Sequence, residues 1–308
     1  MIKYYYKSLR NDEVTEIDQP KPGTWVHVEL PTEEELELLI DRFGLDEGFI
    51  ADALDEDEVP RLEREDDKTY IFVRYAYKTA DGDLDTAPLL IVTDSKMVMT
   101  LSPSPLPAAE SLLKGKTPAT TQRTKMILLM LSHISNEYDI FISQTSRKIK
   151  TIRSRLRGKG LSNQDLIDFA TIEDELNEFH SSLQPTNATL RRLLVGKQLK
   201  LFEEDQDIVE DLLLNNEQSI EAIRSNLKSI ANIREAYSAI SANNLNKTLT
   251  VLTVATILIS IPSLAMGIYS LNIPLPAQHS MHTFWVIMAI NATLMGGVIY
   301  VVRKKRVI

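Results

Sequence analysis

The sequence predicts an α+β domain, then a long helical stalk, then two transmembrane helices. Three observations lead there. Between Lys247 and Arg303 there is no Asp, Glu, Lys or Arg, and two apolar stretches long enough to cross a bilayer fit inside that gap. Residues 1–118 alternate short β-type runs with helical segments. From Glu203 to the residue before Pro262 there is neither Gly nor Pro, so one helical run continues into the first apolar stretch.

In chain order, Lys3–Tyr6 and Trp25–Leu30 read as strands separated by the breakers in QPKPG. A helix opens at Thr32, with Glu35 three residues on as its capping-box partner and Glu33 to Glu35 matching the positive end of the helix dipole. Leu36, Leu39, Ile40 and Phe43 form its apolar stripe and Gly44 ends it. A short helix follows over about Glu47–Leu54. The runs Arg61–Arg64, Tyr70–Lys78, Leu89–Thr93 and Met97–Leu101 are strands, with turns at Asp81-Gly82 and Asp94-Ser95-Lys96. The proline-rich SPSPLP segment closes this domain.

Helical spacing then dominates. Thr121–Leu156 and Ser162–Val195, interrupted by Arg157-Gly158-Lys159-Gly160, are expected to form an antiparallel hairpin over 119–202. The stalk occupies 203–247, with Ile220, Ile223, Leu227, Ile230, Tyr237 and Ile240 as its apolar stripe. With the first span, 248–269, the run from Glu203 to Tyr269 measures about 100 Å as a helix. Such a helix can carry a conformational signal mechanically. A linker at 270–282, a second span at 283–302 and a basic tail at 303–308 complete the chain.

Lys247 precedes the first span and Arg303 to Arg306 follow the second, so the positive-inside rule places both termini in the cytoplasm and the linker outside. Tyr269 and Trp285 fall near the outer interface, where amphipathic rings are favoured. The polar start, MIKYYYKSLRNDEVTEID, does not read as a cleavable signal peptide. A net charge of −9 argues against a nucleic-acid surface and suits attraction of cations. With no Cys there is neither a disulfide framework nor a thiolate metal site. His27, His133, His180, His279 and His282 lack zinc-type spacing, although His279 and His282 flank the linker and could meet a transition metal. No P-loop and no nucleophile–base pair is found, so the chain does not read as an enzyme or as an ATP-driven pump, and no organic cofactor is implied.

The first span carries Thr253, Thr256, Ser260 and Ser263 at steps of three and four, a row that Asn246, Leu249 and Gly267 extend. Small polar groups at membrane depth need partners or water. One reading is a single anchor whose hydroxyls bond back to their own turns. The other is a pore surrounded by several copies of this helix. The charge-poor span pair, the stalk and the acidic cytosolic mass favour the second.

Two segments resemble the CorA family of divalent-cation channels, the magnesium transporters of bacteria and archaea. IPSLAMGIYSLN at Ile261–Asn272 resembles the family pattern P-T-x-x-x-G-x-Y-G-M-N, and FGLDEGFIADALDEDEVPRLE at Phe43–Glu63 resembles its F-G…D-x-L…P-(R/K)-(L/V)-E segment. The order of domains resembles the family over the whole chain. The signature Tyr-Gly-Met-Asn reads here as Tyr269-Ser270-Leu271-Asn272, so its Gly and Met are replaced, and the linker lacks the acidic residue usual after it.

The resemblance implies a homo-oligomer, pentameric if the family pattern holds, that sits in the cell membrane and takes up Mg2+, both transported and regulatory. It implies an outer ring of Asn272 beside Tyr269, polar stops at Thr253, Thr256, Ser260 and Ser263, and Asn246 at the cytosolic mouth. Leu249 and Leu252 are candidates for a hydrophobic constriction that gates by dewetting. Divalent ions bridging Asp52 and Asp211 of neighbouring subunits would hold the channel shut, a ligand favouring the closed state. Plainer readings stay open: Asn272 as a helix C-cap, the two leucines as lipid-packing residues, and the acidic run EEDQDIVEDLLL as a solvated face. The competing functional class is a non-conducting, membrane-anchored sensor or assembly subunit of the same fold. A Co2+-, Ni2+- or Zn2+-directed transporter is a variant of the first.

Overall fold

The computed structural model describes residues 1–10, 13–114, 117–158, 160–196, 199–271 and 280–304. The chain divides into two compact units, Met1–Ala231 and Asn232–Ile308.

The first unit is built on a seven-stranded sheet in the order β2-β1-β3-β7-β6-β5-β4. Its strands are β1 (Ile2–Tyr6), β2 (Thr15–Glu16), β3 (Thr24–Glu29), β4 (Arg61–Glu65), β5 (Lys68–Lys78), β6 (Leu84–Thr93) and β7 (Met97–Ser102). Every neighbouring pair is antiparallel except β3 and β7, which run parallel in the register Val26↔Met99. A parallel pair needs a crossover connection. Here it holds α1 (Glu33–Phe43), α2 (Glu47–Asp52) and the β4–β6 meander.

Helices α1 and α2 cover one face of the sheet. Leu39, Leu45, Ile50 and Ala53 pack against Val26, Val28, Tyr70, Phe72, Leu90, Val92, Met99 and Leu101. The alternate residues Ile71, Val73, Leu89, Ile91 and Val98 are buried as well, so the opposite face must also be covered. The elements in contact there are α4 (Arg123–Gly158) and α5 (Asn163–Val195). Burial on both faces explains why β5 reads as a near-continuous apolar run rather than an alternating one.

The capping signals in the sequence operate as expected. Thr32 and Glu35 form a reciprocal capping box on α1, and Gly44 ends that helix with a left-handed φ of 58°. Ser162 and Asp165 form a second box on α5. Strand β6 and helix α3 go beyond the sequence expectation. Strand β6 begins at Leu84 rather than Leu89 and contains Pro88. Pairing with β7 reaches only Leu90, so Pro88 lies where β6 has a neighbour on one side, a place where a sheet tolerates a missing N–H. Helix α3 (Pro107–Lys114) begins on the last proline of SPSPLP, at a first position where the N–H that proline lacks would have no helical partner. As expected for a helix over Ser162–Val195, Pro185 sits inside α5 without ending it.

Helices α4 and α5 run antiparallel, as the contacts Tyr138–Phe179 and Arg155–Asp165 show. The hairpin belongs to the same compact unit as the sheet. The first part of α6 (Glu203–Tyr269) lies beside α4. Lys125–Glu204, Ser135–Asn216 and Ser146–Asn226 are separated by 79, 81 and 80 residues, a near-constant offset that only parallel helices give. The second unit holds the rest of α6 and α7 (Met281–Lys304), the two helices long and apolar enough to cross a membrane.

One buried carboxyl in α4 has a thermodynamic consequence. Burial pushes Glu137 up to about 7 from its ordinary 4.5, and its Oε2 has no protein partner among the described residues. Between those two pH values the folded chain keeps a proton that the unfolded chain has lost, so stability falls as pH rises through that window. Glu137→Gln should flatten this dependence and raise the melting temperature at pH 8 relative to the parent. Circular dichroism melts at pH 4.5 and pH 8 check it, and an unchanged difference between the two would contradict the assignment.

Candidate functional site

The site is assembled from the sequence-expected residues of the second unit. In α6 each hydroxyl of the row donates to the carbonyl one turn back: Thr253 to Leu249 at 2.8 Å, Thr256 to Leu252 at 2.9 Å, Ser260 to Thr256 at 2.8 Å and Ser263 to Ile259 at 2.9 Å. The back-bonding expected of an isolated anchor is therefore present. It commits the hydroxyl hydrogens to the helix and leaves the oxygen lone pairs as acceptors on the surface. All four side chains are exposed in the single chain.

Half-covered positions in α6 are Thr250, Val254, Leu258, Ile261, Pro262 and Ala265, and in α7 Thr283, Ile287, Asn291, Met295 and Val298. Both sets follow helical spacing, so each helix has one half-covered face. At about 100° per residue the hydroxyl row lies roughly 160° around α6 from its covered face. The row thus lies opposite the half-covered face of α6. Leu249 and Gly267 fall at the centre of the row, and Leu252 and Asn246 at its edges. Leu249 and Leu252 are 49% and 63% exposed. A Cβ added at Gly267 would meet nothing, so that end of the row is open.

Tyr269 ends the helix and lies on the side of α6 away from the row by the same arithmetic. Ser270, where the family pattern has Gly, donates its hydroxyl to the Gly267 carbonyl at 2.9 Å, while Leu271 is exposed. Asn272, His279 and the Lys305–Arg306 part of the tail lie outside the described residues. Sequence reading overlooked Asn291, the amide in the middle of α7. It sits on the half-covered face of α7 and donates to the Ile287 carbonyl at 2.9 Å. A lone Asn in an apolar span was the available signal.

The two carboxylates expected to regulate lie in the first unit. Asp52 closes α2, and its Oδ2 is 2.6 Å from Nη2 of Arg61. That guanidinium also pairs with Glu58, lies 3.9 Å from Glu63 and stacks 4.0 Å from the centre of the Phe72 ring. Arg61 was in the quoted Phe43–Glu63 segment, but its role as a counter-ion emerges only once β4 is placed beside α2. Three carboxylates around one cation leave the cluster negative. Asp211 is exposed on α6 and lines a cleft with Ser132, Asn136 and Asn215 from α4 and α6. Among the described residues no three metal-ligating side chains come together in the single chain. His27 is a core residue, its Nδ1 2.9 Å from the Thr100 hydroxyl and its Nε2 3.1 Å from Glu29.

A family model described as CorA-like Mg2+ transporter protein matches residues 21–304. The Cobalt/magnesium transport protein CorA of Methanocaldococcus jannaschii is 25% identical over 293 residues, covering 91% of this chain and 90% of that protein. Among solved structures, the complete CorA magnesium transporter of the same organism superposes with a TM-score of 0.87 at 20% identity, over 98% of this chain and 97% of that one. The full-length CmaX protein gives 0.79 at 18% identity, over 96% and 97%. The ZntB cytoplasmic domain of Vibrio parahaemolyticus gives 0.64 at 11% identity, over 78% and 98%. At these identities the structural likenesses bear on the fold.

Because the hydroxyls only bond back along their own helix, removing one should leave the fold nearly untouched. Ser260→Ala and Thr256→Val are expected to change thermal stability by less than about 1 kcal/mol. Circular dichroism of the purified variants checks this, and a larger loss would mean that the row holds the fold together.

Proposed function

The chain belongs to the CorA-like Mg2+ transporter family, and on that footing we propose that identical copies, five if the family pattern holds, bundle their first spans around an aqueous path for divalent cations, with Mg2+ the ion taken up. The family comprises membrane transporters, not enzymes. The observation that carries the reading is the hydroxyl row, which lies opposite the half-covered face of α6 and is left uncovered by the single chain.

The chemistry suits a hydrated cation. Mg2+ gives up its water reluctantly, and the waters around it point their hydrogens outward. A wall that passes the hydrated ion must therefore accept hydrogen bonds. Hydroxyls whose own hydrogens are tied to backbone carbonyls are such acceptors, as is an amide oxygen. Asn272 forms the outer ring in this reading, with Tyr269 beside it as an interfacial anchor. Thr253, Thr256, Ser260 and Ser263 serve as steps below, and Asn246 stands at the cytosolic mouth. The apolar side chains of Leu249 and Leu252, on the hydroxyl side of α6, form the constriction that closes by dewetting. Both termini and the first unit face the cytoplasm.

Closure is assigned to Asp52 and Asp211, which a divalent ion joins across neighbouring subunits. Carboxylates on separate subunits repel when the ion leaves, so a bound ion favours the closed assembly. The Arg61 partner already holds the Asp52 carboxylate in place. Helix α6 runs unbroken from the residues around Asp211 to the end of the span, so a shift at its start can reach the path.

Proteoliposome uptake distinguishes this from a non-conducting relative. Purified protein should run as an oligomer and carry Mg2+ influx, and Asn272→Ala should cut that influx at least tenfold. Influx equal to that of empty vesicles, or a monomeric protein, would sink the proposal, and competition by Co2+, Ni2+ and Zn2+ ranks the ions. Asp52→Asn combined with Asp211→Asn should leave influx intact while weakening its inhibition by Mg2+ inside the vesicles severalfold; unchanged inhibition would remove the regulatory assignment alone.

A further inference from the structure

The segment Phe43–Glu63 carries eight acidic residues and a single basic one, Arg61. A surface so acidic attracts cations from solution. The one cation that the segment supplies itself is held at several points. Strand register sets Arg61 opposite Phe72, and the guanidinium lies 4.0 Å from the centre of that buried ring. Glu58, three residues earlier and only 13% exposed, pairs with Nη1. Asp52 accepts a hydrogen bond from Nη2 at 2.6 Å, and Glu63 lies 3.9 Å from Nε. Arg74 also reaches this loop, but it is buried and committed to the Glu56 and Glu58 carbonyls, to Thr86 and to Glu178.

These holds differ in strength. The stack and the Glu58 pair involve covered partners, whereas Asp52 is 43% exposed, and an exposed ion pair is worth little against water and dissolved ions. The backbone of Asp52 is fixed by the end of α2, where the Ala53 N–H donates to the Phe49 carbonyl and the Asp55 N–H to the Asp52 carbonyl. The carboxylate therefore stays at this edge when the guanidinium lets go. Arg61 stays as well, because the strand, the ring and Glu58 keep it. A metal ion arriving at Asp52 meets a positive charge that cannot leave.

We propose that Arg61 is a built-in competitor for the divalent ion at Asp52, and that it sets the Mg2+ concentration at which the assembly closes. The role rests on the assignment of Asp52 and Asp211 as the closing pair. Carboxylate oxygens suit Mg2+, which keeps several of its waters and takes one or two carboxylates. The ion either displaces Nη2 from Asp52 or binds within the field of the guanidinium, and both weaken its hold. Without Arg61 the charges of Asp52, Glu58 and Glu63 are uncompensated, and the ion binds at a lower concentration.

Calorimetric titration of the full-length protein in detergent with MgCl2 reads this affinity without relying on influx. The binding component at issue is the one lost in Asp52→Asn, Asp211→Asn protein. Arg61→Met keeps an unbranched side chain over Phe72 and removes the charge; it should tighten that component about fivefold, the order expected for a unit charge close to a divalent ion in water. Arg61→Lys, which restores the charge, should return the affinity to the parent value. Glu58→Gln removes a negative charge and should weaken binding. Opposite signs for Arg61→Met and Glu58→Gln mark a charge effect, since loss of a structural brace weakens binding in both. Unchanged or weaker binding in Arg61→Met would overturn the role of Arg61 and leave the carboxylate pair standing. Parent-like binding in the double Asn variant would remove the pair, and this role with it. Circular dichroism melts confirm that each variant is folded.

Discussion

A polar side chain in the hydrocarbon core must find its partner within the protein or in water that the protein admits. That constraint shapes the second unit. Helix α6 meets it twice over: each Ser and Thr hydroxyl ties its hydrogen to its own helix, and the oxygens line up on one side. The tie makes the row tolerable wherever it faces. It also makes the row acceptor-rich, which is what the outward hydrogens of a hydrated cation require. An anchor helix and a pore helix thus share one local geometry. What separates them is the surface that the other copies bring to it.

The first unit solves a different problem. Its sheet is buried on both faces, so the runs Tyr70–Val73 and Leu89–Val92 are apolar, and apart from the buried Arg74 most of the unit's charge lies at its edges, helix starts and loops. Asp52, Glu58 and Glu63 gather around Arg61 at one such edge. The acidic turns that begin α6 and the basic turns that end α4 lie at opposite ends of a parallel helix pair. This segregation of sign is a property of the packing, because the parallel offset decides which charges are neighbours. A chain read residue by residue gives only an acidic average.

Helix α6 carries both Asp211 and the hydroxyl row on one continuous element. One helix of 67 residues holds Asp211 near its start and the hydroxyl row near its end, with Pro262 as the position where a backbone hydrogen bond is missing. Its packing partners also change along its length: α4 and α5 accompany the first turns, and the bulky apolar side chains near its end are exposed to whatever surrounds the second unit.

Most of the architecture was legible in the sequence because its signals are local. A charge-free gap between Lys247 and Arg303 marks the spans, the Thr32 box marks a helix start, and a Gly- and Pro-free run marks α6. The three- and four-residue steps of the hydroxyl row are likewise a property of the sequence alone. Only the tertiary structure decided what faces what. It placed Arg61 against Asp52, set the hydroxyl row opposite the covered face and put Tyr269 away from it. It also carried β6 through Pro88. Each of these depends on which distant residue comes alongside, through strand register or helix offset, and no local pattern encodes that.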